Sequence, residues 1–313
     1  MSGLRVRRPG LLSLLQDRGR FGQAALGLTS GGPMDPLAAA LANRLVQNPA
    51  SATLLEISFG GLEVEAREDL QVAVTGAGLP LLCDGAERPM WTVLAVRAGQ
   101  TLALGFSDIG CRSYLAVRGG LAIAPSFGST STVPREGIGG LNGGPLQAGD
   151  ELPRRPAAPC EPLWLPPRHR PRYHRRAIVR VIPGYQRAYF PRRERRRFFA
   201  GEYRVSRRCD RMGYCLEGPA IACELSSLLS EGIAPGAIQI PADGQPIVLL
   251  NDRQTIGGYP KLGTALSLDA AALGQLRPGD GVNFLPITCH GARKALHLAG
   301  VFERSRRFEP APT

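Results

Sequence analysis

Lysine is nearly missing from this chain of 313 residues. Of its 38 basic side chains only Lys261 and Lys294 are lysine; the others are arginine. A compact ammonium kept in a glycine loop, where Lys261 stands, offers a point charge that a planar guanidinium does not. Histidine is scarce too: His169, His174, His290 and His297 form no HxH or HExxH, so their spacing supports no metal site. The seven cysteines are scattered without a CxxC, the pattern of reduced thiols in a cytosolic protein. No apolar run approaches the ~20 residues of a membrane helix. The N-terminal stretch is broken by Asp17 and arginines and has no small-residue cleavage site, so no signal peptide is predicted. There is no GxxxxGK[ST] phosphate loop, no GxSxG nucleophile turn and no AMKM biotin-attachment sequence.

Glycine (39) and proline (27) fill about one position in five. Such frequent punctuation disfavours long helices and favours short strands joined by turns. Apolar or alternating runs at 70–78, 92–99, 100–106, 113–123, 238–244, 245–252 and 281–288 each end at Gly, Asp or Pro or in a turn. The clearest helix is predicted over 35–48, with Asp35 as cap, Pro36 in the first turn and Leu37, Leu41 and Leu45 on one face. Short helices are expected at 191–199 and at 269–276, the latter capped by Asp269. The helices do not alternate with the strands, so the chain reads as mainly β.

The two halves echo each other. Val6-x-x-Pro9-Gly10 returns as Val181-Ile182-Pro183-Gly184, Leu28-Thr29-Ser30 as Arg204-Val205-Ser206, and Leu55-Glu56-Ile57 as Cys223-Glu224-Leu225. The runs 72–78 and 96–104 return at 248–254 and 276–284. Five matches in one order predict two similar β domains born of a duplication.

The net charge of +12 suggests nucleic acid until it is located. Residues 154–208 hold 17 Arg against three Glu, and the remainder is slightly acidic. The first part of that segment is Pro/Arg-rich and reads as a solvated linker; the sharper reading is a surface for an anion or an acidic partner. No helix-turn-helix or zinc-finger pattern accompanies the charge, so nucleic acid is not expected as a partner.

Asp-Arg occurs three times beside glycine turns, at Asp17-Arg18, Asp210-Arg211 and Asp252-Arg253. Asp orients an N–H or takes a proton, and Arg offers two donors to a carboxylate, phosphate or ureido oxygen. Glycines beside them let backbone N–H groups approach an anion. The third pair opens NDRQTIGGYPKLG, adding Gln254, Thr255, Gly257, Gly258, Tyr259 and Lys261; the second is followed by Met212. SGGPMDP, with Gly31, Gly32, Met34 and Asp35, is either a glycine loop at a helix N-terminus or a plain helix entry. For each pair the alternative is a turn with a surface ion pair.

Four stretches together resemble one family: VxxPGLLSLLQDRGRFG, GLTSGGPMDPLAAALANRLVQN, CDRMGYCLEGP and SEGIAPGAIQIPADGQPIVLLNDRQTIGGYPKLG. They are similar to the biotin-dependent carboxyltransferase family, which contains the C subunit of 5-oxoprolinase and the carboxyltransferase part of urea amidolyase. Cys209 stands where members typically carry Ser, and Cys215 where they carry an Arg-like residue.

The resemblance implies tandem cyclophilin-like β-barrel domains with few short helices. On the present numbering these are an N-terminal domain over 1–153, a linker over 154–176 and a C-terminal domain over 177–313. It also implies one of two activities. In the first, ATP-dependent opening of 5-oxoproline to glutamate, the chain works with 5-oxoprolinase subunits A and B, the latter of the Kip inhibitor type. In the second, a biotinylated partner delivers carboxybiotin to a small amide such as urea. A non-enzymatic role, binding a Kip-type kinase inhibitor, is a third expectation. For either chemistry Asp210, Arg211, Asp252 and Lys261 are the expected catalytic residues. Asp17, Arg18, Gly31, Gly32, Met34, Asp35, Met212, Arg253, Gln254, Thr255, Gly257, Gly258 and Tyr259 are the expected substrate-binding residues, gathered in one cleft.

Overall fold

Alternate side chains of strand Arg112–Val117 enter two different cores. Leu115 and Val117 join Leu55, Ile57, Val72 and Val74 on one face, while Tyr114 and Ala116 join Leu54 and Ala73 on the other. A strand buried on both faces shows no polar alternation, which is why this stretch reads as a continuous apolar run. The computed structural model from which these contacts come describes residues 3–225 and 228–311. Its chain forms two units: residues 3–22, 30–173 and 307–311 make up the first, and residues 23–29, 174–225 and 228–306 the second.

The first unit holds two large antiparallel sheets and a two-stranded ribbon, Leu163–Trp164 with Glu309–Pro310. One runs in the order Glu151–Pro153, Gly3–Pro9, Leu62–Ala66, Thr101–Leu104, Leu81–Cys83 and Ala86–Glu87. The other runs Leu12–Gln16, Leu54–Ser58, Arg112–Val117, Leu70–Gly76 and Val93–Val96. Leu4, Val6, Val64 and Leu102 of the first sheet meet the inner face of the second. Its outer face is covered by helix α1, Pro36–Leu45, through Ala38, Leu41, Ala42 and Leu45. Full burial of each leucine contributes about 1.5–3 kcal/mol before entropy is charged. α1 starts as predicted, with Asp35 accepting from the Ala38 amide at 3.0 Å and Pro36 in the first turn.

The second unit is built on a closed seven-stranded barrel. Its strands are, in order, Arg176–Pro183, Lys261–Ala265, Ala237–Gln239, Ile247–Leu249, Gly213–Glu217, Glu202–Cys209 and Gly281–Pro286. The last pairs in parallel with the first and closes the ring, which leaves no unpaired edge within it. A separate ribbon pairs Glu231–Gly232 with Ile256–Gly257. Helices α2 (Arg192–Ala200), α3 (Ser267–Leu273) and α4 (Cys289–Ser305) belong to this unit.

The mainly β reading therefore holds, with one closed barrel and one pair of open sheets. Of the echoed segments, the Pro-Gly strand ends at 9–10 and 183–184 and the turn-then-strand pairs at 96–104 and 276–284 match in kind, as do the strands within 72–78 and 248–254. Leu55–Ile57 lies in a strand, whereas 223–225 does not. Two further differences have plain causes. α3 begins two residues before Asp269, because that carboxylate is taken by Arg180 through Nε at 2.8 Å and Nη2 at 2.7 Å and cannot cap. α4 lies outside the predicted elements although it carries an apolar side with Leu296, Leu298 and Phe302; those side chains stay exposed, only Ala292 is buried, and the Thr288 cap sets its start. Among the described residues no helix is long and apolar enough to cross a membrane.

Residues 154–173, the greater part of the Pro/Arg-rich segment, pack in the first unit. Cys160 exchanges hydrogen bonds with the Gln71 amide at 2.6 and 2.7 Å, and Leu163–Trp164 pairs with Glu309–Pro310. The arginine content suggested solvation; the buried Cys160 and Leu165 between the arginines give the segment its hold.

Candidate active site

Two of the Asp-Arg pairs interlock in the second unit. Arg211, from the second pair, forks onto Asp252, from the third, with Nε and Nη2 each 2.8 Å from a carboxylate oxygen. Both residues are almost fully buried, at 4% and 3% exposure. The backbone repeats the link: the amides of Leu250 and Asp252 donate to the carbonyls of Met212 and Arg211, each at 2.8 Å. Asp210 is exposed and closes its own turn, its Oδ1 accepting from the Met212 amide at 2.7 Å. The Asp252 carboxylate is thus a fixed partner of a guanidinium, and its reach toward a substrate proton is limited by that fork. Arg253 turns to backbone carbonyls, Ile233 at 3.2 Å and Leu250 at 3.4 Å, and burial pulls its pKa below the usual guanidinium value. From the 23–29 segment of the same unit, the Thr29 hydroxyl donates to the Asn251 carbonyl at 3.1 Å.

Lys261 opens a barrel strand directly after Pro260, and its ammonium is paired with Glu231. Its backbone amide donates to Gln186 Oε1 at 2.6 Å, and Gln186 Nε2 donates to Glu231. Lys261 is 8% exposed. Beside it on the next strand stands Gln239, its register partner, 1% exposed, whose Nε2 has no hydrogen-bond partner among the described residues. That nitrogen faces Gly257, where an added Cβ would lie 3.2 Å from it, 3.6 Å from Gln254 Nε2 and only 2.7 Å from Ile233. Gly257 in turn pairs with Glu231. Glycine is needed here for close approach; any side chain would fill the space that the two amides face. Tyr259 is half-exposed, and Gly258 has no room for a Cβ beside the Leu228 carbonyl.

The Lys261 hydrogen bond, and after it that of Tyr185, holds the Glu231 carboxyl below the usual glutamate range. The same contact raises the Tyr185 phenol. A depressed folded pKa contributes stability that is complete above the unfolded value and lost as pH falls through the folded one. The stability difference between the parent and Glu231→Gln is therefore expected to be constant above about pH 5 and to shrink in acid below the ordinary glutamate value of about 4.3. Urea titrations at stepped pH measure it; a gap that ignores pH would mean the pair does not form.

In the first unit the expected residues build a loop scaffold. Asp17 accepts from the Gly19 and Thr130 amides at 2.9 and 2.8 Å and from the Ser129 and Ser131 hydroxyls at 2.5 and 2.8 Å. Burial pushes this carboxyl up, but these four donors outweigh it and leave the pKa below the usual value. Arg18 is exposed; Arg20, not expected, is the buried guanidinium and reaches the Ser126, Ser129 and Ser131 carbonyls. Gly32 adopts φ +86° and an added Cβ would meet the Arg18 carbonyl at 3.0 Å, while Gly31 at φ +59° continues the turn. Gly32→Ala is expected to cost about 1–3 kcal/mol of stability in a urea titration, from the strained φ and the close carbonyl; a cost near zero would show that the loop relaxes freely. Met34 is buried, its amide donating to Glu56 at 2.7 Å, and Asp35 caps α1 while accepting from Tyr173 at 2.8 Å. Of the two readings of SGGPMDP, the helix entry is the one that these contacts of Asp35 support.

A model of the carboxyltransferase domain, subdomain A and B, matches residues 26–286. The chain belongs to that family. It is 37% identical to the 5-oxoprolinase C subunit of Escherichia coli, over 93% of this chain and 94% of that one. It is 33% identical to the 5-oxoprolinase C subunit of Haemophilus influenzae, over 90% of each. The crystal structure of urea amidolyase from K. lactis superposes with a TM-score of 0.90 at 27% identity, covering 97% of this chain and 20% of that one. This carboxyltransferase-domain chain therefore spans about a fifth of the urea amidolyase but nearly all of the two 5-oxoprolinase subunits. Asp17 and Arg18 precede the matched span; the Lys261 cluster lies inside it.

The sequence reading missed Glu231, Gln186, Tyr185 and Gln239 around Lys261, and Arg20, Glu56 and Tyr114 in the first unit. Glu231 and Gln239 sit within a quoted motif, SEGIAPGAIQIPADG, and a lone acid and amide among apolar strand residues were the available signal. Glu56, 1% exposed within an apolar strand, was visible in the same way; it accepts from Tyr114 at 2.8 Å, and burial, then Glu56, raises that phenol well above its ordinary value.

Proposed function

We propose that this protein is the C subunit of an ATP-dependent 5-oxoprolinase, opening 5-oxoproline to glutamate together with A and B subunits. The observation that carries the reading is the cluster around Gly257: a buried ammonium, two amide side chains and one buried amide N–H without a partner among the described residues. A lactam is an inert N–C=O group, and such donors suit the charge that grows on its oxygen. In this reading Lys261 supplies the point charge, and Gln239 and Gln254 donate to the substrate carbonyl. Glu231 and Gln186 hold the ammonium in place. Arg211 and Asp252 fix the loop that carries Gln254. ATP supplies the phosphoryl group that activates the lactam oxygen, and Lys261, with Arg253, is suited to the charge on that activated oxygen. Near-full coverage of the two bacterial C subunits supports this reading over others.

Transfer of a carboxyl group from carboxybiotin to a small amide is the second reading, favoured by the superposition on urea amidolyase. It places the same donors on a ureido oxygen. Both readings take the fold as two cyclophilin-like domains, over 1–153 and 177–313, related by duplication, in a cytoplasmic protein. The seven cysteines, none in a disulfide, are compatible with that compartment. The test mixes the chain with A and B subunits, 5-oxoproline and ATP and follows glutamate. Release that requires this chain supports the first reading. Turnover that needs bicarbonate, urea and a biotinylated carrier replaces it with the second, and a complex inert in both assays removes both.

A further inference from the structure

Helix α2, Arg192–Ala200, has two opposite faces. Glu194 and Phe198, four residues apart, point inward: Phe198 stacks on Phe284 with ring centroids 4.4 Å apart, and Glu194 accepts from the Ala222 amide at 3.2 Å. Arg192, Arg195, Arg196 and Phe199 make the i, i+3, i+4, i+7 stripe of the other face. With Arg187 and Leu262 that stripe lines an open groove of about 560 Å³. None of the four arginines enters an ion pair among the described residues, and the Nε of Arg195 is buried there without a hydrogen-bond partner.

This arrangement is unfavourable as it stands. Arginines in the first turn oppose the helix dipole, and like charges three and four residues apart repel. Glu194, the acid of that turn, is turned inward and has Arg193 as its neighbour at 3.2 Å. A bound anion would relieve each of these costs. Phe199 and Leu262 add an apolar wall, and a planar guanidinium fork matches phosphate oxygens in pairs. Lys261, Gln186, Glu231, Gln239 and Gly257 are all absent from the lining of this groove. The groove is therefore separate from the Gly257 cluster, and its assignment does not rest on the proposed activity.

The geometry points to a site for a small phosphate-bearing anion with an apolar part, the nucleotide class of ligand, held by Arg187, Arg192, Arg195 and Arg196. Calorimetric titration of the full chain with ATP and with tripolyphosphate tests it, with no partner subunit present. Saturable binding is expected, tighter for ATP and weakened by salt. Arg195→Ala and Arg196→Ala should each weaken ATP by about tenfold, whereas Arg193→Ala, which removes the same charge off the stripe, should not. Arg196 is solvent-facing, so its variant reads the site even if Arg195→Ala unfolds. No saturable ATP binding overturns the assignment. So do equal affinities for ATP and tripolyphosphate, equal weakening by Arg193→Ala, or full displacement of ATP by an acidic peptide at matched charge.

Discussion

Lys261→Met is expected to lower kcat for 5-oxoproline opening in the assembled enzyme by about 10²–10³-fold, while the thermal midpoint moves by only a few degrees. The asymmetry follows from the partners. Removing the ammonium takes away the charge proposed to meet the developing oxyanion, an interaction strongest in the transition state. The Glu231 left behind is about one-third exposed and can be rehydrated, so folding loses little. Lys261→Arg should not restore the rate, because a planar fork does not fit the place of a point charge. Lys294→Met, on the exposed face of α4, is the control and should be silent. Steady-state kinetics of reconstituted complexes decide it: full activity in Lys261→Met would remove the ammonium from the mechanism and with it the reason for its survival among arginines.

Arg211→Ala should destabilise the chain by about 3–5 kcal/mol, and Asp252→Ala by a similar amount. Each leaves one buried charge facing an empty place, since both groups are below 5% exposure and joined at two points of 2.8 Å. The double variant Arg211→Met with Asp252→Leu should recover much of that loss, because two apolar side chains need no counter-charge. Turnover should stay low in all three, as the fork positions the loop carrying Gln254, which leads to Lys261. Urea unfolding with a double-mutant cycle separates these outcomes. Single variants costing less than about 1 kcal/mol, the range of surface pairs, would show that the fork does not hold the loops.

Much was legible in the sequence for reasons that the structure makes concrete. The strand at 281–286 and the helix from Pro36 rest on local signals: apolar runs cut by glycine, and an Asp-Pro entry whose cap depends on neighbours three residues away. The motif NDRQTIGGYPKLG drew attention to Lys261 because lysine is so rare here. The same reasoning treated each Asp-Arg pair as a unit, and there it failed. Arg211 serves Asp252 from another pair, Asp17 organises the serines at 129 and 131, and Arg18 yields its place to Arg20. Nothing in a dipeptide tells which distant partner its charges will meet.

The amino-acid order alone thus determined what depends on near neighbours: the mainly β character, the start of α1, the turns and the family. Only the tertiary structure decided which charges are spent on holding loops and which remain available for chemistry. Burial and pairing are properties of residues brought together from far apart along the chain. Glu231 meets Lys261, and Gln239 faces Gly257, because barrel closure sets their strands and ribbon side by side.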